Sequence, residues 1–349
     1  MKNLLKNQLG ALALIFVLFS CNDNGGEQPL GKYDTGVLIM NEGNFGTNDG
    51  EVYHLDPSTG TLTADIFELE NNRPFAGLLE DMVLEQDRLY LVANTGKVEI
   101  VNPGDFKSVG SVTDELNQPR SLAAASGKLF ISDYGPYDAS YATPDSYIAV
   151  VSGLDGGTVK KKIEVSNKPE DLFVNGKFVW VAGSEEGKLE IIDADAEAIS
   201  KTIEVEGRPV LFFEQSGEVW VYSYDESNVY FHSLNLSSET VKEVKSFPMA
   251  NPTGRIATGE DGKIYVTLST GWPEYVDNII EVSLADNSAK LWMNGSGFYG
   301  IGYDSERGKV YVANSKGFQG NGEVNVYEKD GADLSTLDVG RGPSGFLFR

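Results

Sequence analysis

Short apolar runs rich in β-branched and aromatic residues recur along the chain, and a polar turn introduces nearly every one of them. Six runs share this form, and a seventh, VLIMN at 37 to 41, is the same strand without its turn. The six are DRLYLVAN (87 to 94), GKLFISD (127 to 133), GKFVWVAG (176 to 183), GEVWVYS (217 to 223), GKIYVTL (262 to 268) and GKVYVAN (308 to 314). Apolar runs of this length between turn signals predict strands, so the chain contains a sevenfold repeat.

Each repeat holds three further strands. Two follow the apolar run, and a proline then opens the next short strand. The prolines are Pro74, Pro119, Pro169, Pro209, Pro252 and Pro343, and GFYGIGY (297 to 303) stands where one is missing. Four strands in a unit of about 40 to 50 residues are typical of a β-propeller blade. The sequence therefore predicts an all-β fold, a seven-bladed β-propeller over residues 35–349.

The two ends of the repeat region predict how the ring closes. The chain enters at VLIMN, which is the second strand of a blade, and leaves on PSGFLF (343 to 348), which is a first strand. We expect the C-terminal strand to complete the first blade, because this closure leaves no open seam between terminal blades.

The N-terminal segment predicts secretion and a lipid anchor. A basic start precedes an apolar run from Leu9 to Phe19, which is too short to span a bilayer, so residues 1–20 are expected to be a signal peptide. Leu18-Phe19-Ser20-Cys21 resembles a bacterial lipobox, although Phe19 departs from the usual small residue. Cys21 is the only cysteine, so we expect it to carry lipid; the alternative is a cleaved signal with a free thiol. Polar, Gly-rich residues 21–34 are expected to form a flexible tether.

The chain is strongly acidic. Its formal net charge is −24, and loss of the two lysines of the signal peptide makes it −26. Such a chain repels phosphate backbones, so no nucleic-acid partner is expected.

Two motifs carry a family resemblance. LYLVAN and VYVAN resemble the YVTN repeats of bacterial surface-layer and YncE-like propellers. NEGNFG (41 to 46) close to a lipoprotein N-terminus is similar to Bacteroidetes surface lipoproteins of the DUF5074 type, which include cobalamin-capturing propellers on TonB-dependent transporters. The resemblance implies an outer-membrane, lipid-anchored, cell-surface protein that binds a small-molecule solute such as a corrinoid and passes it to a TonB-dependent outer-membrane transporter.

The loops of a propeller divide between two faces, which we call the first face and the second face. The first face carries the loops that follow the second and the fourth strand of each blade; the second face carries the remaining turns. Second-face turns have no aromatic residue and are assigned no chemistry. The first face collects Phe45, Phe75, Tyr134, Tyr137, Tyr141, Trp272, Tyr275, Phe298, Tyr299 and Phe318. Long aromatic loops usually bind ligands, so these residues are the predicted ligand contacts, although about a third are expected only to plug the channel.

The loops around Phe45 and Phe318 are similar in sequence and belong to neighbouring blades, one on each side of the closure. We therefore expect their two rings to form a matched pair, with Trp272 and Tyr275 one blade further round.

Basic residues accompany the blade-opening prolines. Arg73 joins the predicted ligand contacts, and the bases expected at the channel mouth are Arg120, Lys168, Arg208, Arg255 and Arg341. One interpretation is that they bond carbonyls and acids such as Glu170 and Glu206 and so tie blades together. The other is a funnel for an anionic or amide-rich solute.

Catalytic groups are scarce. The only histidines, His54 and His232, are placed on third strands away from the aromatic loops. No Ser-His-Asp arrangement, metal site or cofactor is predicted, so we expect a non-enzymatic binding protein. The alternatives are a calcium-dependent hydrolase or lactonase of propeller fold, and a glycan-binding or adhesion module, since aromatic rings also stack on sugars.

Overall fold

Residues 30–349, the part of the chain that the computed structural model describes, form seven four-stranded antiparallel sheets. The predicted seven-bladed β-propeller is thereby confirmed. The expected signal peptide, Cys21 and most of the expected tether lie outside the described residues. Within residues 30–349, no helix is long and apolar enough to cross a membrane.

The strands follow one another with the same order in every blade, from the central channel to the rim. Blade 1 has the order β28-β1-β2-β3, and blades 2 to 7 each take the next four strands. In chain order the strands are β1 (Val37–Asn41), β2 (Glu51–Asp56), β3 (Thr61–Thr63), β4 (Leu79–Glu85), β5 (Arg88–Ala93), β6 (Lys97–Val101), β7 (Ser108–Val112), β8 (Pro119–Ala125), β9 (Lys128–Asp133), β10 (Tyr147–Val151), β11 (Val159–Glu164), β12 (Pro169–Asn175), β13 (Phe178–Gly183), β14 (Lys188–Asp193), β15 (Ala198–Glu204), β16 (Arg208–Gln215), β17 (Glu218–Tyr224), β18 (Asn228–Asn235), β19 (Thr240–Pro248), β20 (Pro252–Thr258), β21 (Lys263–Ser269), β22 (Asp277–Ser283), β23 (Ser288–Gly295), β24 (Phe298–Asp304), β25 (Lys309–Asn314), β26 (Glu323–Glu328), β27 (Asp333–Asp338) and β28 (Pro343–Phe348). Helix α1 (Ile66–Asn71) follows β3, and a 3-10 helix (Lys316–Phe318) follows β25.

The ring closes as the sequence predicts. β28 pairs antiparallel with β1, from Val37 opposite Phe348 to Asn41 opposite Pro343. The first blade is therefore assembled from both ends of the propeller. An apolar cluster that contains Ile39 and Tyr311 then packs blade 1 against blade 7, so no strand edge is left open at the seam.

Burial explains the apolar pattern of the second strands. Every residue of β1 is buried, whereas the outermost strand of blade 4, β15, is mostly exposed. Because neighbouring blades pack face to face, a second strand is covered on both faces and needs apolar side chains throughout. Outer strands lie at the rim and tolerate polar residues.

Most blade-opening prolines lie where they are expected. The first strands β8, β12, β20 and β28 begin at the predicted proline, and β24 covers most of GFYGIGY. Pro74 is an exception, because β4 begins only at Leu79. The extra chain that contains α1 covers the contact between blades 1 and 2, where Ile66 and Phe67 are fully buried.

The last residues of the expected tether are folded against the propeller. Tyr33 is fully buried, and the Arg349 guanidinium forms an ion pair of 3.0 Å with Asp34. Packing of the chain therefore starts before residue 35. A buried aromatic ring and an ion pair to the C-terminal residue are contacts that composition alone does not reveal.

Candidate binding site

A backbone irregularity recurs at the first-face end of the innermost strands. The pairing register shifts near the start of the first strand in blades 2 to 7, for example between Leu79 and Asp81, between Pro119 and Leu122, and between Pro169 and Leu172. A β-bulge lets two consecutive side chains turn to the same side. At the channel mouth, adjacent residues therefore line the channel together.

Three charged residues meet at this mouth. Arg120 Nη1 of blade 3 lies 2.7 Å from Glu80 Oε2 of blade 2, and Arg120 Nε lies 3.4 Å from Glu170 Oε2 of blade 4. The guanidinium also covers the ring of Tyr134 at 4.9 Å, and the Tyr134 hydroxyl donates to Glu170. Arg120 thus joins three blades. Its contact with Glu170 agrees with the interpretation that these bases bond acids of neighbouring blades and so tie the blades together.

A second set of polar groups adjoins these charges. Ser121 Oγ donates to Asp81 Oδ2 at 2.6 Å, and the Phe212 amide donates to Asp171 Oδ2 at 2.8 Å. Burial raises the pKa of Asp81, and burial together with the charge of Asp81 raises the pKa of Asp171 to about 7. The channel therefore holds carboxyl groups that are protonated more readily than usual.

Glu42 connects the channel to the aromatic side of the face. Its carboxylate accepts from Arg255 Nη2 of blade 6 at 3.0 Å and from the Tyr299 hydroxyl of blade 7 at 2.8 Å. The Arg255 guanidinium also lies over the Tyr299 ring at 5.3 Å. Burial raises the pKa of Glu42, and Arg255 opposes this rise. Glu42 thus holds the first-face ends of three blades together.

An aromatic cleft opens between blades 6 and 7. One cavity of about 400 Å³ is lined by Tyr275, Phe298, Tyr299 and Phe318, with Arg255 at its inner end. The Tyr299 and Phe318 rings meet edge to face, with centroids 4.9 Å apart. Rings held in this way present fixed apolar walls to a ligand.

The cleft continues outward past Tyr275. A second cavity of about 500 Å³ is lined by Trp272, Tyr275, Asn314 and Lys316. Trp272 is 80% exposed, so its ring is available to a ligand. Tyr275 borders both cavities and makes them one continuous aromatic cleft.

A cavity beside the channel is lined by residues of blades 4 and 5; we call it the basic cavity after Lys168 and Arg208, although two glutamates balance their charge. It measures about 380 Å³ and is lined by Lys168, Arg208, Glu170, Glu185 and Tyr224, among others. Lys168 Nζ lies 3.3 Å from Glu185 Oε1.

The channel joins the basic cavity to the aromatic cleft. Its own cavity, about 280 Å³, shares Glu170 and Tyr224 with the basic cavity and shares Gly254 and Arg255 with the aromatic cleft. We call this continuous set of four cavities the arc. Acidic and basic side chains line it at one end and in the middle, and aromatic rings line it at the other end.

Phe45 lies outside the arc. It is 90% exposed and lines a cavity of about 240 Å³ with Tyr137, Asn94, Asn117 and other uncharged residues of blades 2 and 3. Phe318 lies in the aromatic cleft instead. The two loops do flank the closure, but the expected matched pair of rings is wrong, because each ring lines a different cavity.

Three predicted contacts are unavailable or lie elsewhere. Phe75 is buried in the core, and Tyr134 is engaged below Arg120. Arg73 pairs with Glu99 at 2.6 Å and covers Phe67 at 4.9 Å, away from the channel. The loop that contains α1 carries Arg73 to this position, which explains why its neighbour Pro74 misled the sequence prediction.

The other predicted residues occupy the edges of the site. The Tyr137 and Tyr141 rings lie 6.3 Å apart, and Tyr141 is 84% exposed. Arg341 contributes its carbonyl to the Gly43 amide at 3.0 Å and does not line the arc. Of the expected channel-mouth bases, the channel cavity is lined by Arg120 and Arg255, and the basic cavity by Lys168 and Arg208.

A serine and a histidine lie side by side in blade 5, with a glutamate nearby. Ser223 Oγ and His232 Nε2 are 2.9 Å apart, and His232 Nδ1 lies 3.6 Å from a Glu206 carboxylate oxygen. Both Ser223 and His232 are fully buried, and Ser223 donates to the Glu206 carbonyl at 2.6 Å. Burial lowers the pKa of His232. A hydroxyl held in this way has no access to a substrate. Within the described residues, the Glu206 side chain makes no hydrogen bond to His232 Nδ1, which is buried without a partner, and it forms no ion pair with one of the predicted bases.

Sequence reasoning missed the acidic members of the arc. Glu42, Glu80, Asp81 and Asp171 line or border the channel, but only the basic residues near the prolines were singled out. A signal was present, since Glu-Asp recurs at 80 to 81 and at 170 to 171, near the start of two first strands. Within residues 30–349, no group of three or more His, Cys, Asp or Glu side chains is arranged to hold a metal ion.

Fold and site together define the class: a seven-bladed propeller with a continuous line of open cavities on one face. The chain belongs to the family described as "Domain of unknown function (DUF5074)", whose profile matches residues 35–343.

Solved structures with similar folds come from several bacteria. The periplasmic gluconolactonase PpgL of Pseudomonas aeruginosa has a TM-score of 0.67 at 12% identity, over 89% of this chain and 98% of that one. A quinonprotein alcohol dehydrogenase-like protein of Bacteroides thetaiotaomicron has a TM-score of 0.65 at 15% identity, over 89% and 78%. At these identities the likeness shows the fold alone. A comparison with curated protein sequences found no match.

Proposed function

We propose that this protein is a non-enzymatic outer-membrane lipoprotein, anchored through Cys21 at the cell surface. It binds a large, partly apolar solute in the arc and passes it to a TonB-dependent transporter. The observation that carries the proposal is the continuity of the aromatic cleft, in which Tyr275 joins two cavities walled by four further rings. Ligand sites are usually concave and largely apolar with a few polar groups, as this cleft is.

The chemistry of the arc favours a solute with a planar apolar part and many hydrogen-bonding groups. Tyr299, Phe318 and Trp272 offer ring faces and edges for stacking. Thr253, Ser269 and Thr270 line the same cleft with hydroxyl groups, which both donate and accept. A corrinoid, a large ring that bears amide side chains, fits this description. The family resemblance read from NEGNFG makes it the first ligand to test.

The binding test uses the full chain with Cys21→Ala, which is expected to be soluble. The protein is incubated separately with cyanocobalamin, cobinamide, haem and a siderophore, and then separated by gel filtration. Co-elution of corrinoid absorbance with the protein supports the proposal. Co-elution of haem or siderophore alone would keep solute capture and discard the corrinoid. Failure of all four to co-elute would count against capture in the arc.

A second candidate function, glycan binding, is favoured by the cavity beside Phe45. Besides Phe45 and Tyr137, this cavity is lined by the uncharged polar side chains of Asn94, Thr95, Asn117 and Gln118. The Gln118 amide is held in place, because its Nε2 donates to the Gly135 carbonyl at 2.8 Å. Amide and hydroxyl groups beside aromatic rings suit the hydroxyls and the apolar face of a neutral sugar. Glycan-array binding that is lost in Tyr137→Ala would support this candidate.

The hydrolase alternative has a direct assay. One similar fold is that of a gluconolactonase, and the channel contains carboxyl groups. Hydrolysis of gluconolactone is measured with and without added calcium. Turnover that is lost in Asp171→Asn would support this alternative over capture without catalysis.

A further inference from the structure

The N-terminal end of the described chain is fixed to the second face. Gly36 pairs with Arg349 at the end of β28, with N···O distances of 2.7 and 2.8 Å. The Tyr33 amide donates to the Gly104 carbonyl at 3.0 Å. Gly104 lies in the turn between β6 and β7, and β28 runs from the first face to the second. Both partners therefore belong to the face opposite the arc.

Side chains hold this segment firmly. We call residues 31–36 the strap. Arg349 Nη1 donates to the Tyr33 carbonyl at 2.8 Å and to the Pro103 carbonyl at 2.6 Å, and Arg349 Nη2 lies 3.0 Å from Asp34. The Tyr33 ring packs edge to face on His54 and on Phe106, with centroids 5.2 and 5.7 Å away.

The strap is held at its outer end as well. The Tyr33 hydroxyl donates to Glu70 at 2.6 Å, and Lys32 Nζ lies 2.7 Å from the same carboxylate. A Cβ on Gly31 would approach the Gly104 backbone to 2.5 Å, so the two chains are in close contact. The position where the chain leaves the propeller is therefore set at Gly31.

Chain length limits how far the propeller can turn relative to an anchor at Cys21. Cys21 and Gly31 are ten positions apart, and a fully extended chain spans at most about 3.6 Å per residue, so the tether reaches at most about 36 Å. A six-residue strand is already about 20 Å long at about 3.4 Å per residue, and the first-face loops extend beyond it. To bring the first face onto the membrane, the tether would have to pass the whole height of a blade.

We propose that the strap orients the anchored propeller, with the second face toward the membrane and the arc opening away from it. This inference rests on the lipid anchor of the proposed function. Solute then reaches the arc from the aqueous side. Turning the first face toward a transporter in the same membrane would use more than half of the full reach of the tether, and release of the strap would add the length of its own residues to that reach.

Energy transfer from two matched positions tests the orientation. Ala139 and Ala196 are both exposed and lie in loops of the first and the second face, respectively. Because Cys21 is the only cysteine of the chain, Ala139→Cys or Ala196→Cys supplies the only free thiol once Cys21 is lipidated. Each full-length lipoprotein is labelled with a donor dye and reconstituted into phosphatidylcholine vesicles that carry an acceptor-labelled lipid.

We expect transfer from position 196 to exceed transfer from position 139 by about twofold or more, because the two sites differ by at least the height of a strand. If the anchored protein showed equal transfer from the two positions, or more transfer from position 139, the proposed orientation would be wrong, while the proposed lipid anchor would still stand. If mass spectrometry shows no lipid on Cys21 and the protein does not float with vesicles, the proposed anchor fails, and the orientation fails with it.

A substitution of Arg349, the residue that holds the strap, tests whether the strap sets the orientation of the propeller. Arg349→Ala removes two side-chain contacts to the strap, those with Tyr33 and Asp34, and leaves β28 in place. The difference between the two labels should shrink in this background while the protein still floats with vesicles. An unchanged difference in a folded Arg349→Ala protein would show that the strap does not set the orientation.

Discussion

Glu42 and Arg255 are 213 residues apart in sequence, yet their side chains form an ion pair of 3.0 Å across the first-face ends of blades 1 and 6. The same carboxylate accepts the Tyr299 hydroxyl of blade 7, which lies between those blades. The NEGNFG loop is thus a structural junction between the channel and the aromatic cleft, and its Phe45 is not part of the cleft.

Loss of this junction should be costly. Glu42→Ala leaves the half-buried Arg255 without this partner and should lower the free energy of unfolding by about 2 kcal/mol, because a hydrogen bond to a charged group contributes about 1.5–3 kcal/mol. Tyr299→Phe removes one hydrogen bond and should cost about 1 kcal/mol. Urea denaturation measures both. Equal effects of the two substitutions would show that the ion pair contributes little beyond the tyrosine contact.

Two glycines of the same loop should respond differently to substitution. Gly43 has a φ of +89°, and a Cβ there would lie 2.5 Å from the Gly50 amide nitrogen. Gly46 has a φ of +86° and no atom within 4 Å of such a Cβ. Gly46→Ala should therefore cost about 1 kcal/mol from backbone strain alone, and Gly43→Ala about 3 kcal/mol from strain and steric overlap. Similar melting temperatures for the two variants would contradict the close approach at Gly43.

The aromatic cleft predicts which rings contribute to affinity. With cyanocobalamin as the probe, Trp272→Ala and Phe318→Ala should each weaken binding about tenfold or more, at about 1.4 kcal/mol per decade. Phe45→Ala is the matched control and should change affinity less than about twofold, since its ring lines another cavity. Calorimetry measures all three. If only Phe45→Ala weakened binding, the site would lie beside Tyr137 instead. Trp272→Ala should leave the melting temperature unchanged, whereas half-buried Phe318 contributes some packing.

The channel carboxyls predict a pH dependence of stability. The pKa of Asp171 is about 7 in the folded protein and is ordinarily 3.8. The folded state therefore keeps a proton that the unfolded state releases, so stability falls as the pH rises from about 4 to about 7. Asp171→Asn should remove this loss and gain stability relative to wild type by about 1 kcal/mol or more at pH 8, at about 1.4 kcal/mol per pKa unit.

At pH 3, where Asp171 is protonated in both the folded and the unfolded state, Asp171→Asn should gain no stability relative to wild type.

Asp138 provides a control with the opposite pH dependence, because hydrogen bonds from Ser140 and from the Ala142 amide lower its pKa. Asp138→Asn should remove a stabilising contribution that is present at neutral pH and lost in acid. Thermal melts at both pH values measure the difference between each variant and wild type. If Asp171→Asn were no more stable than wild type at pH 8, the Asp171 carboxyl group would be solvated in the folded protein.

The C-terminal strand should be essential. Deletion of residues 343–349 removes the strand that pairs with β1 and also removes Arg349, whose side chain holds the strap. This deletion exposes the edge of β1 and an apolar core, so we expect aggregation or a melting temperature lower by about 10 °C or more. The milder Arg349→Ala leaves β28 paired and should remain soluble. A deleted chain that melts within about 2 °C of the full one would contradict closure by β28.

The sequence by itself determined the fold. Strand runs, turn signals and the spacing of the prolines are local patterns, and each blade repeats them. Seven copies and the half-blades at the two ends were therefore enough to predict the ring, its closure and the division of loops between two faces. Trp272, Tyr275, Phe298, Tyr299 and Phe318 were recognised for the same reason, since loop length and aromatic content are visible in one segment.

Only the tertiary structure decided which of these loops share a cavity. Neighbouring positions around a propeller come from segments about 40 to 50 residues apart, and no local pattern records whether a ring points to the channel, to the next blade or to solvent. That is why Phe45 was paired with Phe318, why Arg73 was placed at the channel, and why the ion pair of Glu42 with Arg255 was not foreseen. Side-chain direction depends on bulges and contacts between blades, which exist only after the ring has closed.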